Sequence, residues 1–197
     1  MTRKQFTQFW AKTYPKTVPI PHFFKYDYAE RWFRIHSLPN SKRYAETDAE
    51  WAILLQRQNA LITDLFGEAE QVILVTGAYK RRNERRVHLV KKNPILKTYP
   101  FKILPEMDLP ASKSEYYDEG MAYRPAFAEA LWQSEKFDNL LRGIANDELR
   151  VFFVSAQKNV IIAPYDGGVD VVLKDTEIKN AYKIKCKNWL SEREDGF

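Results

Sequence analysis

The densest group of chemically active side chains in this sequence is a basic run at positions 80–86, which reads Lys-Arg-Arg-Asn-Glu-Arg-Arg. It separates two β-type runs, 72–79 and 87–90, so the pattern predicts an exposed hairpin tip. Burying so many unpaired cations would be very costly, which makes exposure nearly obligatory. The candidate binding residues are therefore Lys80, Arg81, Arg82, Arg85 and Arg86.

Two kinds of anionic partner fit this basic run, and a solvated loop without a partner is a third interpretation. The cations could neutralise the phosphates of a nucleic acid, or they could attract an acidic protein. Aromatic side chains that would stack on bases are not interleaved with the run, so nucleic acid is the weaker of the two alternatives.

Three aspartates near the end of the chain are the next candidates, because carboxylates can hold a divalent cation. Asp166, however, opens a turn in which its side chain can bond backbone N–H groups. Asp170 lies inside a strand, and Asp175 caps a helix. These structural roles account for all three residues, and the sequence predicts no metal site.

The sequence carries no catalytic signature. His22, His36 and His88 lie in separate segments, without Cys or Glu at metal-ligand spacing. There is no phosphate-binding loop, dinucleotide fingerprint or nucleophile elbow. We therefore expect no cofactor and identify no catalytic residue. An enzyme remains an alternative only if distant residues assemble its site.

The elements that position these residues follow from hydrophobic periodicity. A capping box at 47–50 opens a helix whose apolar residues continue at helical spacing to Phe66. A second helix should carry Phe137, Leu140, Leu141 and Ile144 on one side, and a third should follow Asp175. Strands are predicted at 32–36, 72–76, 127–132, 151–154, 160–162 and 169–173. This order predicts an α+β fold: a single domain with a mainly antiparallel sheet and helices packed on one face.

The clearest turn in the sequence is formed by Asp166, Gly167 and Gly168, with Asp170 in the strand that follows. Asp-Gly and Gly-Gly pairs supply the positive φ angles that tight hairpin turns need. We therefore expect positive φ at Gly167 or Gly168 and assign these four residues a structural role in the turn.

The length of 197 residues suits one domain spanning 1–197. Residues 1–30 are rich in aromatic residues and proline, which predicts an arm. Residues 91–125 contain five prolines, which predicts a long irregular connection. An aromatic arm that finds no groove on its own domain would seek one on a partner, so a homodimer is an alternative.

The compartment is predicted from cysteine content and hydropathy. The only cysteine, Cys186, cannot pair within the chain, which favours a reducing cytoplasm. No signal-peptide core and no run long enough to span a membrane is found, so we expect no membrane partner. The net charge of +5 is spread over alternating basic and acidic blocks. This pattern favours a surface with distinct faces over a uniformly polycationic nucleic-acid binder.

Four segments carry a resemblance to a known family. They are the aromatic-Arg-Ile core at 32–35, the Leu65-Phe66 helix end, the strand 72–75, and the closing unit at 165–171 with its terminal Trp189-Leu190. In these segments the chain resembles DUF3885, an uncharacterised bacterial family. The family often has Asp-Arg where this chain has Gly167-Gly168, so no role of that arginine is carried over. The resemblance implies a small, soluble single domain without an established reaction.

The leading hypothesis is a non-enzymatic protein-interaction module, because charge blocks and an aromatic arm stand out and no catalytic set does. An immunity-type protein that neutralises a toxin is its most concrete form. A nucleic-acid-associated protein using residues 80–86 and an enzyme with a dispersed site are the alternatives. A deep polar cleft would favour the enzyme, and a flat charged face would favour binding.

Overall fold

The computed structural model describes residues 1–81, 83–84 and 93–191. An eight-stranded sheet has the order β1-β8-β7-β6-β2-β5-β3, with β4 also paired to β5, and every pairing is antiparallel. The strands are β1 Trp32–His36, β2 Gln71–Arg81, β3 Lys102–Ile103, β4 Met107–Asp108, β5 Met121–Leu131, β6 Val151–Ser155, β7 Val160–Pro164 and β8 Gly168–Val172. The α-helices are α1 Arg3–Thr13, α2 Phe24–Asp27, α3 Asp48–Phe66, α4 Leu109–Lys113, α5 Asp138–Ala145 and α6 Thr176–Lys185.

Helices cover both faces of this sheet. The α+β class and the antiparallel sheet are confirmed, and α3 and α5 pack on one face as expected. Buried residues of α1 and α2 form a second core on the opposite face. The expectation of helices on one face only is therefore corrected. Strands β6 and β7 lie in the middle of the sheet and are covered on both faces. Nearly all their side chains are therefore apolar, whichever face they point to.

Helix α3 begins and ends as its sequence predicts. The Thr47 side chain accepts a hydrogen bond from the Glu50 backbone N–H, and the Glu50 side chain accepts one from the Thr47 backbone N–H. Gly67, with φ of 88°, ends the helix. The buried stripe holds Leu54 and Ile62 against the sheet. Trp51 is only partly buried, with the Arg142 guanidinium 4.7 Å from its ring centroid.

Residues 1–30 pack on their own sheet. The Phe6 ring on α1 stacks on Phe127 of β5 with ring centroids 4.5 Å apart. The Trp10 indole N–H donates to the Thr17 carbonyl over 2.9 Å, which folds the proline-containing segment back along α1. The aromatic residues therefore find partners within the chain. This contact removes the reason for expecting the segment to act as an arm that seeks a second copy.

The middle segment is irregular over only part of the predicted range. Residues 91–92 lie outside the described residues, and 93–120 contain only short helices and the two-residue strands β3 and β4. From Met121 onward the chain is already in β5, so the strand starts six residues earlier than its apolar pattern at 127–132 indicates. Pro125 is accommodated within this strand opposite Gly77.

The three strands β6, β7 and β8 confirm the predicted double hairpin. The φ angles of its second turn differ from the expectation, because neither Gly167 nor Gly168 has positive φ. Gly168 is needed for a different reason. A Cβ atom there would lie 2.0 Å from the Ile35 carbonyl oxygen, so the close approach of β1 excludes a side chain.

The sheet splits beside β6. Strand β6 begins at Val151, opposite Thr76, whereas β2 continues to Arg81. Beyond Thr76, β2 pairs with β5 alone within the described part of the chain. The end of the β2–β5 ribbon is thus separated from the ends of β7 and β8, and a cleft opens between them. Among the described residues, no helix has the length and apolar content that crossing a membrane requires.

Candidate functional site: a polar cleft at the split of the sheet

The cleft at the split has a volume of about 320 Å³. Its walls come from residues 20–22 before α2, from β1, from one end of the β2–β5 ribbon, from the turn before β6, and from the β7–β8 turn. The polar and aromatic lining residues are His22, Arg34, Arg43, Tyr79, Tyr123, Asp147, Arg150, Phe152, Tyr165, Asp166 and Asp170.

A bidentate ion pair forms one wall of this cleft. Arg34 Nε donates to Asp170 Oδ1 over 2.6 Å, and Arg34 Nη2 donates to Asp170 Oδ2 over 2.9 Å. The guanidinium also lies 4.6 Å from the ring centroid of Tyr165. Burial alone would lower the pKa of Arg34, but the hydrogen bonds and charge of Asp170 outweigh burial and raise that pKa. Burial also raises the pKa of Asp170, against the opposing effect of Arg34. The pair is charged all the same, because two short hydrogen bonds join the guanidinium to both carboxylate oxygens.

A second ion pair holds the β7–β8 turn. Asp166 Oδ2 accepts hydrogen bonds from Arg43 Nε at 2.7 Å and from the Tyr44 hydroxyl at 2.9 Å. The expectation that Asp166 bonds backbone N–H groups in its turn is therefore corrected. Its partners are side chains from the segment after β1, which one sequence cannot place next to the turn.

A third Arg–Asp pair at the mouth is much looser. Arg150 Nη2 and Asp147 Oδ1 are 3.7 Å apart, and both side chains are more than half exposed. An exposed pair at this distance contributes roughly 0–1 kcal/mol at most. The Arg150 guanidinium is therefore able to exchange Asp147 for another anion.

The exposed tyrosines of the molecule gather around this cleft. Four tyrosines are between 36% and 50% exposed: Tyr26, Tyr44, Tyr79 and Tyr116. Tyr79 lines the cleft, and the Tyr44 hydroxyl bonds to Asp166. The rings of Tyr26 and Tyr116 lie 5.6 Å and 6.1 Å from the His22 ring. We call these four side chains the tyrosine rim.

Inside the cleft, Tyr123 is held by a glycine on the neighbouring strand. Its ring lies over Gly77, where a Cβ atom would be 2.2 Å from the ring carbon that carries the hydroxyl group. Gly77 therefore allows the ring of Tyr123 to lie flat across β2, at the wall of the cleft.

The arrangement offers recognition more readily than catalysis. Each of the three aspartates that line the cleft is paired with an arginine. Burial, together with the charge of Lys25, lowers the pKa of His22, so this imidazole is neutral at pH 7. Within the described residues, no three His, Cys, Asp or Glu side chains lie together in a way that could hold a metal ion.

The structure describes only some residues of the predicted basic run at 80–86. Lys80 and Arg81 end β2, and Arg82, Arg85 and Arg86 lie outside the described residues. Lys80 is mostly buried and pairs with Glu106 over 2.8 Å. Lys80 is therefore not a free surface cation, whereas Arg81 is exposed. A binding role for the other arginines of the run stays a prediction.

A larger groove of about 480 Å³ lies between α1 and the segment 104–107. Its lining is mainly apolar, and of its three charged residues, Lys16, Glu106 and Lys113, the last two are bound to Lys80 and Asp27 respectively. It offers less chemistry than the polar cleft.

Sequence reasoning missed Arg34, Arg43 and Arg150 as site residues, although it named Asp166 and Asp170. The available signal was the resemblance, because it covers both the strand with Arg34 and the closing unit with Asp170.

Comparisons with known proteins support the family resemblance. A search of curated proteins and a search of solved structures find no match. A family model described as a domain of unknown function, DUF3885, matches residues 20–194. The chain therefore belongs to the DUF3885 family.

Proposed function

We propose that this domain is a protein-interaction module whose contact surface is the tyrosine rim and the polar cleft inside it. One observation carries the proposal: each of the four exposed tyrosines of the chain either lines this cleft, as Tyr79 does, or contacts His22 or Asp166 in its lining. The other seven tyrosines of the chain, of which Tyr123 and Tyr165 also line the cleft, are buried or half-buried.

Tyrosine and arginine are the side chains that protein interfaces use most effectively. They offer a large contact area together with polar groups, and they are enriched among residues whose truncation weakens binding. Here Arg43 and Arg150 line the cleft, and both side chains are largely exposed. Arg43 is held by Asp166, whereas Arg150 has only a loose partner, and its charge favours an acidic partner protein. A cytoplasmic, immunity-type protein that neutralises a toxin is the most concrete form of the proposal.

A second candidate, an enzyme, is favoured by the presence of a polar cleft. The contacts of Asp166 and Asp170 weaken this candidate, because their carboxylate oxygens already accept hydrogen bonds from Arg34, Arg43 and Tyr44 and are not free to take a proton from a substrate. Nucleic-acid binding through residues 80–86 is the remaining alternative, and no contact of the described residues favours it.

The proposal is tested by comparing which proteins each variant captures from the producing cells. Tyr26 and Tyr116 are replaced by alanine together, and Ile184→Ala is the matched control. Ile184 is 74% exposed on α6, away from the cleft. A partner identified by mass spectrometry should be retained by the parent and the control and lost by the double variant.

Loss of the partner in both variants, or in neither, would contradict the proposed surface. Circular dichroism of both variants checks that the fold is intact. Sedimentation of the parent alone shows whether the bound protein is a second copy of this chain. A self-associated parent that the double variant leaves unchanged would also count against the proposal.

A further inference from the structure

The Tyr123 hydroxyl is an unused hydrogen-bonding group at the wall of the cleft. Its side chain is only 4% exposed, and among the described residues the hydroxyl has no hydrogen-bond partner. Burial raises the pKa of Tyr123 well above its ordinary value. The hydroxyl therefore keeps its proton at neutral pH and can donate it.

Arg150 lies on the same part of the wall. Its carbonyl accepts a 2.6 Å hydrogen bond from the Thr76 hydroxyl, and Thr76 directly precedes the Gly77 that supports the Tyr123 ring. The positive charge of Arg150 partly offsets the burial that raises the pKa of Tyr123 and of Tyr79. Because Arg150, Tyr79 and Tyr123 all line the same cleft, a guanidinium and phenolic hydroxyl groups border one space.

We propose that Arg150 and the Tyr123 hydroxyl form a carboxylate subsite, which receives an aspartate or glutamate side chain of the partner protein. This inference rests on the proposed function and names the chemistry of its anchor. The carboxylate would accept hydrogen bonds from the guanidinium fork and from the phenol. Tyr79 offers a second phenol, because its oxygen accepts from Tyr117 at 3.1 Å and its own proton remains available.

The charges around the subsite favour a carboxylate over a phosphate. Arg150 is the only cation of the three pairs that has a loose partner, and Asp147, if displaced, would remain hydrated at the surface. One weakly paired cation balances one negative charge. A phosphate dianion would bring a second negative charge close to Asp147 and Asp166. The repulsion from these carboxylates would make the phosphate bind more weakly than a carboxylate.

The test uses N-acetylglutamate amide as a probe and the full chain labelled with ¹⁵N. Saturable shifts are expected at the Gly77 amide and at the Arg150 side chain. Tyr123→Phe and Arg150→Gln should each weaken binding by a factor of about 5 or more, since each removes a charge-assisted hydrogen bond. The control is Arg124→Gln, which removes the same charge from the residue next to Tyr123, on the opposite face of β5.

Binding that resists both cleft variants, or that falls equally in the Arg124 control, would overturn the subsite. Tighter binding of inorganic phosphate, or equal binding of the neutral N-acetylglutamine amide, would overturn its assignment to a carboxylate. A partner lost on removal of the tyrosine rim, with no binding of the probe, would contradict this inference and leave the proposed function standing. Specific probe binding without any captured partner would contradict the proposed function and leave carboxylate recognition standing.

Discussion

Arg34 and Asp170 are direct register partners on β1 and β8, and their side chains form a bidentate ion pair on the sheet face that α2 covers. The neighbours Phe33 and Ile35 point into the core under α3 on the other face. The pair therefore joins the first and last segments of the family resemblance at the wall of the cleft. The ion pair holds the edge strand β1 against β8. It also places the charged groups of Arg34 and Asp170 in the lining of the cleft.

Removing one member of this pair should destabilise the protein strongly. Asp170→Ala leaves the Arg34 guanidinium mostly buried without its counter-charge, and the expected loss is about 3–5 kcal/mol in the free energy of unfolding. Replacing both residues with apolar side chains, Arg34→Met with Asp170→Leu, should cost much less. Chemical denaturation measures both, and a double variant as unstable as Asp170→Ala would contradict this account of the pair.

Gly167 and Gly168 should respond very differently to alanine. At Gly168 a Cβ atom meets the Ile35 carbonyl at 2.0 Å, so Gly168→Ala must push β1 away, with an expected cost of about 1–3 kcal/mol. At Gly167 the nearest atom is the edge of the Tyr165 ring at 3.0 Å, and this ring can shift. Thermal unfolding should therefore show a clear loss only for the Gly168 variant. Equal melting temperatures of the two variants would show that β1 can move away from Gly168 at little cost in stability.

Local signals in the sequence predicted the local structure well. The capping box at Thr47, the helix end at Gly67 and the double hairpin between 151 and 172 depend on neighbours within a few residues. The φ angles of Gly167 and Gly168 were wrongly predicted. The constraint on Gly168 comes from Ile35, more than a hundred residues earlier, and not from the turn itself.

The cleft could not be predicted because it is assembled from residues that are distant in the sequence. Asp166 meets Arg43, and Tyr123 meets Gly77, only after the strands have taken their order in the sheet. The second helical layer was missed for a related reason. The aromatic residues at 1–30 indicate burial, but no local pattern shows that their groove lies on the same chain, against Phe127 and Phe152.

The stabilising effect of Glu50 should disappear in acid. A hydrogen bond from Lys42, together with those from the Glu46 and Thr47 backbone N–H groups, lowers the pKa of Glu50 from its ordinary 4.5 to about 2. A lowered pKa in the folded state stabilises the protein above the unfolded pKa, and this contribution is lost as the pH falls through the folded value. The difference in melting temperature between the parent and Glu50→Gln should be largest at about pH 6 and should become smaller as the pH falls to about 3. A difference independent of pH would contradict this role.

The basic run provides a test of the nucleic-acid alternative. Replacement of Arg81, Arg82, Arg85 and Arg86 by serine should leave folding intact, because Arg81 is exposed and the sequence pattern predicts the same for the others. If the run binds an anionic partner, a salt-sensitive interaction should be lost. Filter binding with nucleic acid and capture of the partner protein, each at low and high salt, distinguish the two partners. Unchanged behaviour in both assays would identify a solvated loop.

The central claim is that the tyrosine rim contacts a partner protein, and site-specific photo-crosslinking tests it most directly. Benzoylphenylalanine is introduced in place of Tyr26, of Tyr116 or of Ile184, and each full-length chain is irradiated in the cells that produce it. We expect one protein to be crosslinked from positions 26 and 116 and not from 184. Crosslinking from position 184 alone, or equal crosslinking from all three positions, would contradict the claim.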